Sequence, residues 1–281
     1  MKYPITSQLS KLFICPNTLF SSKMVTGYNN KTKATEVASN LASHIAGKVI
    51  LTTGVTPNGL GAFFVETIAK HNPALLILAG RSASKVQATA DRIKSTSPDV
   101  ETRIVILDLA SQAQIRDAAK QVLGYPEPID VVVNSAGIMA GPYALTKEGI
   151  ESQFGSNHIG HFLFTNLIMS KILESKSPRI VNVSSNGHAL GPVRFDDYNF
   201  QGGKAYNQWY AYGQSKSANI LFSKGLAEKL GSRGLKAYSL HPGVAFGTSL
   251  AVGLGEADFD QLRGFKLHEH YCIIYYSHVI V

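Results

Sequence analysis

The stretch KVILTTGVTPNGLG, residues 48–61, decides the fold, because a β-branched apolar run leads directly into a glycine-rich turn. Its glycines, Gly54, Gly59 and Gly61, fit neither the G-x-G-x-x-G spacing of dinucleotide-binding folds nor the G-x-x-x-x-G-K-[ST] spacing of NTPases. A turn between a strand and a helix can still hold a pyrophosphate, since glycine lets the backbone come close and the helix start offers free N–H groups. On its own the stretch leaves two interpretations open, a phosphate loop and a structural turn.

Apolar runs alternate with helical patterns from residue 47 onward. The predicted strands are residues 48–53, 74–80, 103–109, 130–136, 179–185 and 236–242, and the predicted helices are 60–71, 82–95, 111–123, about 149–175 and about 208–230. Nearly continuous apolar runs are typical of parallel strands that are buried on both faces. The alternation predicts an α/β fold, a doubly wound parallel sheet in a three-layer Rossmann-like single domain, with ligands bound at the carboxyl ends of the strands.

Composition and charge argue against several functional classes. The chain has 281 residues and a net charge of +8, but residues 1–48 carry six lysines against one acid, Glu36, so most of the surplus precedes the first predicted strand. The remainder shows no basic helical run interleaved with aromatic residues, so we expect no nucleic-acid binding. The two cysteines, Cys15 and Cys272, are too few for a disulfide framework, and a reducing compartment is expected.

The first 23 residues contain no acid and several hydroxyl residues, a weak sign of organelle targeting. They also lack arginine, and Pro4 and Pro16 would interrupt an amphipathic helix. No run of about 18 apolar residues occurs, so a transmembrane segment is not predicted. We therefore expect an unstructured extension and a cytoplasmic protein.

The end of the second predicted strand indicates which cofactor the fold would take. An NAD-binding fold places Asp or Glu here for the ribose 2′-hydroxyl, whereas a 2′-phosphate needs a cation. This chain reads LAGRSASK, with Arg81 and, one helical turn later, Lys85, and no acid nearby. The pattern favours NADP, with a solvated arginine at the start of a surface helix as the alternative.

Tyr212 and Lys216 are four residues apart in a predicted helix and so share one face. An ammonium beside a phenol favours the phenolate and would lower its pKa toward neutrality, where proton exchange with a carbonyl or an alcohol is efficient. The spacing also occurs by chance in exposed pairs.

Together these motifs resemble the short-chain dehydrogenase/reductase family over roughly residues 46–250. TGVTPNGLG is similar to its glycine loop with one residue inserted, and NSAG, residues 134–137, is similar to its Asn-Asn-Ala-Gly motif. NVSS, YGQSK and HPGVAFGTSL are similar to the family's catalytic serine strand, its Tyr/Lys helix and its loop over the nicotinamide. The resemblance implies one domain that both binds a nicotinamide cofactor and carries out catalysis.

The resemblance also implies four catalytic residues. Tyr212 would be the general acid/base, Lys216 would lower its pKa and bind the nicotinamide ribose, and Ser185 would hold the substrate oxygen. Asn157 would organise a water beside the lysine.

The implied cofactor-binding residues form a larger set. It comprises Gly54, Asn58, Gly59, Leu60, Gly61, Arg81, Lys85, Asp108, Asn134, Tyr212, Lys216, Val244 and Thr248. Asn58 and Leu60 would offer backbone groups to the pyrophosphate, and Asp108 would contact the adenine side. Asn134 would contact the ribose region, and Val244 and Thr248 the nicotinamide carboxamide.

Substrate and partners follow from the same resemblance. The long interval between Ser185 and Tyr212 is similar to that of retinol-dehydrogenase-like and WW-domain-oxidoreductase-like members, which implies a hydrophobic alcohol or ketone. Helices 149–175 and 208–230 carry wide apolar stripes, and in the family the equivalent helices pair subunits, which implies a homodimer. His158 and His161 lack a third ligand at a fitting spacing, so they are interpreted as packing residues and no metal is expected.

The expected organisation is an N-terminal extension (1–45), an NADP-binding catalytic domain (46–250) and an atypical C-terminal segment (251–281). Its last ten residues, CIIYYSHVIV, could form an edge strand or reflect a truncated gene end, and the histidines and cysteine at 268, 270, 272 and 278 fit no standard metal spacing. The leading hypothesis is an NADP-dependent oxidoreductase that interconverts a carbonyl and an alcohol by hydride transfer. The alternative is a non-catalytic NADP-binding or regulatory protein that has lost its substrate lid.

Overall fold

The computed structural model describes residues 28–29, 32–243, 248, 250, 254–255, 258 and 274–276. The chain divides into two compact units, Met1–Thr32 and Lys33–Val281. In the first unit, the Asn29 N–H donates a hydrogen bond to Thr32 Oγ1 at 2.9 Å.

In the second unit, the described residues form one central sheet of seven strands. The strands are β1 Val49–Thr53, β2 Leu75–Gly80, β3 Glu101–Ile106, β4 Val131–Asn134, β5 Arg179–Val183, β6 Lys236–Leu240 and β7 Ile274–Tyr276. Their order is β3-β2-β1-β4-β5-β6-β7, and all neighbours pair in parallel except β6 and β7, which are antiparallel. The predicted doubly wound parallel sheet is confirmed. Strand β7 lies within the last ten residues, CIIYYSHVIV, for which an edge strand was one of the two alternatives.

Helices cover both faces of the sheet. They are α1 Ala34–Asn40, α2 Ala42–Ile45, α3 Leu60–Ala69, α4 Ala83–Thr96, α5 Gln112–Leu123, α6 Ser152–Phe154, α7 Gly160–Leu167, α8 Met169–Leu173 and α9 Gln208–Leu230, with a π-helical turn at Gly155–Ile159 between α6 and α7. Short 3₁₀ turns lie at Asn186–Leu190, Gln201–Gly203 and Gly231–Arg233. Among the described residues, no helix is both long and apolar enough to cross a membrane.

Two hydrophobic clusters, one on each face of the sheet, make the fold three-layered. Leu51, Ile77 and Val132 belong to one cluster, which includes Phe164 of α7 and Phe222 of α9. The opposite cluster contains Ile50 and Leu76 of the strands with Val65 of α3 and Val86 of α4. Successive strand residues alternate between the faces, and both faces are apolar, which explains why each strand reads as an unbroken apolar run.

The predicted helix over 149–175 is interrupted in the structure, and side-chain caps explain where it begins. Gly149 has φ +76°, a left-handed conformation outside any helix. The Glu151 carboxylate then accepts hydrogen bonds from the N–H groups of Gln153 and Phe154 at 2.8 Å, which caps the start of α6. In the same way Asn207 Oδ1 accepts from two N–H groups at the start of α9, so this helix begins at Gln208.

Helices α1 and α2 lie within the segment predicted as an extension. Ala38 is buried, α1 contacts α3, and Ile45 packs against the cluster that contains Ile50. The compact unit begins at Lys33, ahead of the predicted start at residue 46.

Two glycines of α9 differ in the space around them, and this difference predicts opposite effects of substitution. A Cβ on Gly225 meets nothing within 4 Å, whereas a Cβ on Gly213 would lie 2.6 Å from the Gly191 nitrogen. Gly225→Ala should raise the free energy of unfolding by about 0.5–1 kcal/mol, because alanine loses less entropy in a helix. Gly213→Ala should lower it. Urea unfolding of both variants measures the two changes, and destabilisation by Gly225→Ala would contradict the open surroundings of that residue.

Candidate active site

A cleft of about 260 Å³ opens at the carboxyl ends of the central strands. Its lining comes from the segments that follow β1, β2, β3 and β4, and it includes Thr53, Gly80, Asp108 and Gly137. The sheet order reverses between β1 and β4, and α/β sheets bind ligands at this kind of switch point.

The glycine-rich turn forms one wall of the cleft, and the turn geometry requires glycine at two positions. Gly54 has φ +77°, and a Cβ there would lie 2.6 Å from Ala136 Cα. A Cβ on Gly61 would lie 2.7 Å from the Gly54 carbonyl oxygen. Together with Gly59 and Leu60, these residues line the cleft where α3 begins, so its first N–H groups are available to an anion. The glycines form a cradle that fits a phosphate-bearing group.

Asn58 lies in the same turn but is not part of the cleft lining. It adopts a left-handed conformation with φ +65°, and its Oδ1 accepts a hydrogen bond from the Arg92 guanidinium at 3.3 Å. Thr56 lines the cleft in its place. The turn thus directs the Asn58 side chain toward α4, and the expected contact of the Asn58 backbone with a pyrophosphate stays a prediction.

The end of β2 supplies positive charge. Arg81 and Lys85 are exposed and line the cleft, as does Ser82. Among the described lining residues, Arg81 and Lys85 are the cations and Asp108 is the acid. Asp108 Oδ1 accepts a hydrogen bond from the Ala110 N–H at 3.0 Å. An anionic group at this end of the cleft would meet two cations.

Asn134 lies behind the cleft rather than in its wall. Its Nδ2 donates to Thr165 Oγ1 at 3.0 Å and to Asn182 Oδ1 at 2.8 Å, and the side chain is buried. The side-chain amide of Asn134 thus joins β4 to α7 and β5, and the expected contact of Asn134 with the cofactor ribose region stays a prediction. The residues that line the cleft are the next four, residues 135–138.

Ser185, Tyr212 and Lys216 meet beside the end of β5. A hydrogen bond joins Tyr212 to Ser185, and the Gly187 N–H donates to Ser185 Oγ at 3.0 Å. Lys216 Nζ donates to the Val183 carbonyl at 3.1 Å and lies 5.4 Å from the centroid of the Tyr212 ring. The structure therefore brings these three predicted catalytic side chains into one cluster.

Burial controls the proton affinities in this cluster. It raises the pKa of Tyr212 to about 12, against a smaller lowering by the hydrogen bond with Ser185. It also lowers the pKa of Lys216 to about 8. The expected net lowering of the Tyr212 pKa toward neutrality is corrected, because desolvation of the phenolate is the dominant effect.

Asn157 lies in the π-helical turn and is fully buried. Its Oδ1 accepts from the Ile138 N–H at 2.8 Å, and its Nδ2 donates to the Ile138 carbonyl at 2.9 Å and to Ser215 Oγ at 3.0 Å. A Cβ on Gly137 would lie 3.3 Å from Asn157 Oδ1 and 3.6 Å from Lys216 Nζ. Gly137 therefore separates the cleft from the catalytic cluster by the thickness of one backbone segment.

Two further predicted cofactor residues lie beyond β6. Thr248 lines the cleft together with Leu250. Val244 lies outside the described residues, so its expected contact with the nicotinamide stays a prediction.

His161 is buried and His158 is partly buried, both in hydrogen-bonded surroundings. The His158 ring packs against Phe154, Phe162 and Phe222, and its Nδ1 lies 3.2 Å from Asn219 Oδ1. Both ring nitrogens of His161 are engaged, Nε2 with Thr53 Oγ1 at 2.9 Å and Nδ1 with the Asn157 carbonyl at 3.0 Å. Within the described part of the chain, no cluster of three possible metal ligands occurs.

Sequence reasoning missed several residues of the cleft. Thr53, Thr56, Ser82 and residues 135–138 line it, and Ser156 does so from the π-helical turn. The rule that ligands bind beyond strand ends identifies the neighbourhoods of Thr53 and residue 135, since both directly follow apolar runs. The strand-end pattern does not show which side chain faces the cleft.

A Rossmann-like sheet with a glycine cradle at its switch point and a Ser-Tyr-Lys cluster, in which Tyr212 and Lys216 are buried, defines a nucleotide-binding oxidoreductase fold. The family model described as short chain dehydrogenase matches residues 48–257. The chain belongs to the short-chain dehydrogenase/reductase family, whose members are oxidoreductases that use nicotinamide dinucleotides.

Several characterised proteins are similar to this chain. Retinol dehydrogenase 11 of Homo sapiens is 41% identical over 200 residues, which cover 71% of this chain and 62% of that protein. Retinol dehydrogenase 12 of Mus musculus is 38% identical with the same coverage of both chains. This chain thus spans about three fifths of the length of these relatives. Oxidoreductase fscI of Fusarium equiseti is 32% identical over 243 residues, which cover 77% of this chain and 94% of that protein.

A solved structure supports the same fold. The crystal structure of an uncharacterized protein from Mycobacterium paratuberculosis is 36% identical in sequence and superposes with a TM-score of 0.62. The match covers 78% of this chain and 76% of that chain.

His158 and His161 predict a loss of stability in mild acid. Burial lowers the pKa of His158 and of His161 from the ordinary value of 6.5 to about 4. Between pH 6.5 and 4 the unfolded chain binds protons that the folded chain does not, so stability present above pH 6.5 is lost as the pH falls through this window. Each kcal/mol lost lowers the Tm by about 2–4 °C in a domain of this size.

Thermal unfolding followed by circular dichroism between pH 7.5 and pH 4.5 measures this loss. His158→Gln removes one of the two titrating groups and should flatten the pH dependence. An equally steep dependence in that variant would contradict the assignment to His158.

Proposed function

We propose that the protein is an NADP-dependent oxidoreductase that interconverts a carbonyl and an alcohol. The observation that carries this proposal is the position of Gly137, which lines the cleft on one side and approaches Asn157 and Lys216 on the other. A cofactor held in the cleft and a proton donor in the catalytic cluster would then act on the same substrate.

The cleft residues fit a phosphorylated dinucleotide. The glycine cradle and the N–H groups at the start of α3 would hold the pyrophosphate. Arg81 and Lys85 would bind the 2′-phosphate, Asp108 would contact the adenine side, and Thr248 the nicotinamide end. When bound, the cofactor supplies or accepts the hydride.

The catalytic cluster would handle the proton. With a pKa of about 12, Tyr212 keeps its proton at neutral pH and is ready to donate it to a carbonyl oxygen. The Gly187 N–H occupies an acceptor position of Ser185 Oγ, so the Ser185 proton is free to turn toward Tyr212 or toward a substrate oxygen. The Lys216 ammonium, 5.4 Å from the ring centroid, would stabilise the phenolate that remains after donation.

Apolar residues near the cluster support a hydrophobic substrate. Ala140, Leu190 and Trp209 form a buried group with Met139 and Leu254 packed against it. The segment of Met139 and Ala140 follows Gly137, that of Leu190 follows Ser185, and that of Trp209 precedes Tyr212. These three segments therefore adjoin the site. The relatives named retinol dehydrogenase are consistent with this substrate class. We propose a hydrophobic alcohol or ketone.

We also propose a homodimer in which the apolar groove beside α7 and α9 is the contact surface. The groove, of about 550 Å³, includes Phe162, Phe195 and Leu221 in its lining, and all three side chains are exposed. Burying these three side chains in a second subunit would remove apolar area from water. A cytoplasmic location remains a prediction from the sequence.

Replacing Tyr212 tests the catalytic role. Tyr212→Phe should lower kcat for carbonyl reduction by about 10²–10⁴-fold, because the proton donor is lost, and it should leave NADPH affinity nearly unchanged. Tyr210→Phe, an exposed tyrosine of the same helix, is the matched control and should keep full activity. The measurement is steady-state NADPH oxidation over a panel of hydrophobic ketones and aldehydes.

Two results would contradict this mechanism. Full activity in Tyr212→Phe would exclude the proposed proton donor. Tight NADPH binding by the unmodified protein with no turnover over the whole panel would favour the alternative, a non-catalytic NADP-binding or regulatory protein.

Replacing Arg81 tests cofactor choice. Arg81→Ala should weaken NADPH binding by about 10–100-fold, because a charge-assisted hydrogen bond to the 2′-phosphate is lost, and NADH binding should change little. Lys94→Ala removes a cation of α4 that does not line the cleft and is the control. Isothermal titration of the unmodified protein and of both variants with NADPH and NADH measures the six affinities. Equal losses for both cofactors would contradict the assignment of Arg81 to the 2′-phosphate.

A further inference from the structure

Thr53 Oγ1 lies within hydrogen-bond distance of three groups. The N–H groups of Ser135 and Ala136 both lie 3.0 Å away, and His161 Nε2 lies 2.9 Å away. The Ser135 N–H is shared between Thr53 Oγ1 and the Val133 carbonyl oxygen, whereas the Ala136 N–H donates to Thr53 Oγ1. Because an N–H can only donate, the Thr53 hydroxyl accepts from the backbone and has its own proton left to donate.

The other side of the imidazole determines where the His161 proton lies. His161 Nδ1 is 3.0 Å from the Asn157 carbonyl oxygen, which can only accept, so Nδ1 carries the proton. The ring is buried and neutral at pH 7, so Nε2 has a lone pair and accepts the Thr53 proton. The result is one directed chain of hydrogen bonds, from the Ala136 N–H through Thr53 and His161 to the Asn157 carbonyl.

This chain connects two anchors of the cleft wall. Thr53 holds residues 135 and 136, where the wall begins, and the Asn157 side chain holds both backbone groups of Ile138, where it ends. His161 joins the two anchors from α7, beneath the wall. Without its acceptor nitrogen the Thr53 proton would have no partner in this network, and the hydroxyl could rotate away from the Ala136 N–H.

We propose that His161 is a positioning residue of the cofactor cleft, which fixes the Thr53 hydroxyl and thereby the wall formed by residues 135–138. The proposal rests on the proposed function only in naming the cleft as the cofactor site. It differs from the interpretation of His161 as a packing residue, since a packing role needs only the shape of the ring.

The first test measures the tautomer in the full chain without cofactor. A ¹⁵N-labelled histidine NMR spectrum at pH 7 should show His161 protonated on Nδ1 with Nε2 as a bare acceptor. A spectrum with the proton on Nε2, or an averaged mixture of tautomers, would overturn the proposal. This measurement needs no variant and no activity.

The second test measures the wall itself by amide hydrogen exchange at Ala136. His161→Phe keeps ring shape and removes the acceptor, and it should speed exchange at Ala136 by about 2–10-fold, the equivalent of one net hydrogen bond. Thr53→Val should do the same, while Thr53→Ser, which keeps the hydroxyl, should stay near the unmodified rate. Unchanged exchange in folded His161→Phe would support packing alone and refute the proposal.

A double-mutant cycle then asks whether His161 acts through Thr53. The exchange rate of Thr53→Val combined with His161→Phe should match that of Thr53→Val alone, and additive effects would contradict the proposal. If His161→Phe does not fold, two measurements remain. They are the tautomer of His161 in the unmodified chain, which still decides the proposal, and the Ala136 exchange rates of Thr53→Ser and Thr53→Val. Titration with NADPH separates the two proposals, because failure of the unmodified chain to bind it would refute the cofactor assignment and leave the exchange results standing.

Discussion

The ends of β1 and β4 approach each other so closely that the rest of the site depends on their contact. A Cβ on Gly54 would lie 2.6 Å from Ala136 Cα, and the Thr53 hydroxyl accepts from the Ala136 N–H at 3.0 Å. Because the sheet order reverses between these strands, the contact sets the distance between the glycine turn and the opposite wall of the cleft. Gly137, next along the wall, then determines how close the cleft lies to Asn157 and Lys216.

The strands could be predicted from the sequence because burial on both faces leaves an unbroken apolar run for each. Helix ends were harder to predict, since they depend on particular side-chain contacts. The start of α6 is fixed by the buried Glu151 carboxylate, and the π-helical turn after it has no periodicity of its own. Helices α1 and α2 are short, and α1, whose Ala38 is buried, contacts α3, which no local pattern reveals.

The candidate site was predictable as a set of motifs but not as a set of contacts. Parallel strands bring their carboxyl ends to one edge, so the residues that follow them were expected together, and Ser185, Tyr212 and Lys216 do meet. Side-chain direction reverses with each residue of a strand, so a motif alone does not show that Asn134 faces the sheet while residue 135 faces the cleft. Thr56 lines the cleft and Asn58 does not, because the left-handed backbone of Asn58 accompanies a side chain that bonds to Arg92.

The direction of the Tyr212 pKa shift could not be predicted from the sequence, because two opposing effects act on the pair of Tyr212 and Lys216. A nearby ammonium favours the phenolate, while burial disfavours both the phenolate and the ammonium. Here burial dominates, with Tyr212 at about 12 and Lys216 at about 8, and the ammonium is engaged with the Val183 carbonyl. At neutral pH the pair therefore consists of a phenol and an ammonium, both in their protonated forms. A change that brings positive charge closer to the phenol, or opens it to water, would lower its pKa, so the reactivity of Tyr212 depends on what occupies the space beside it.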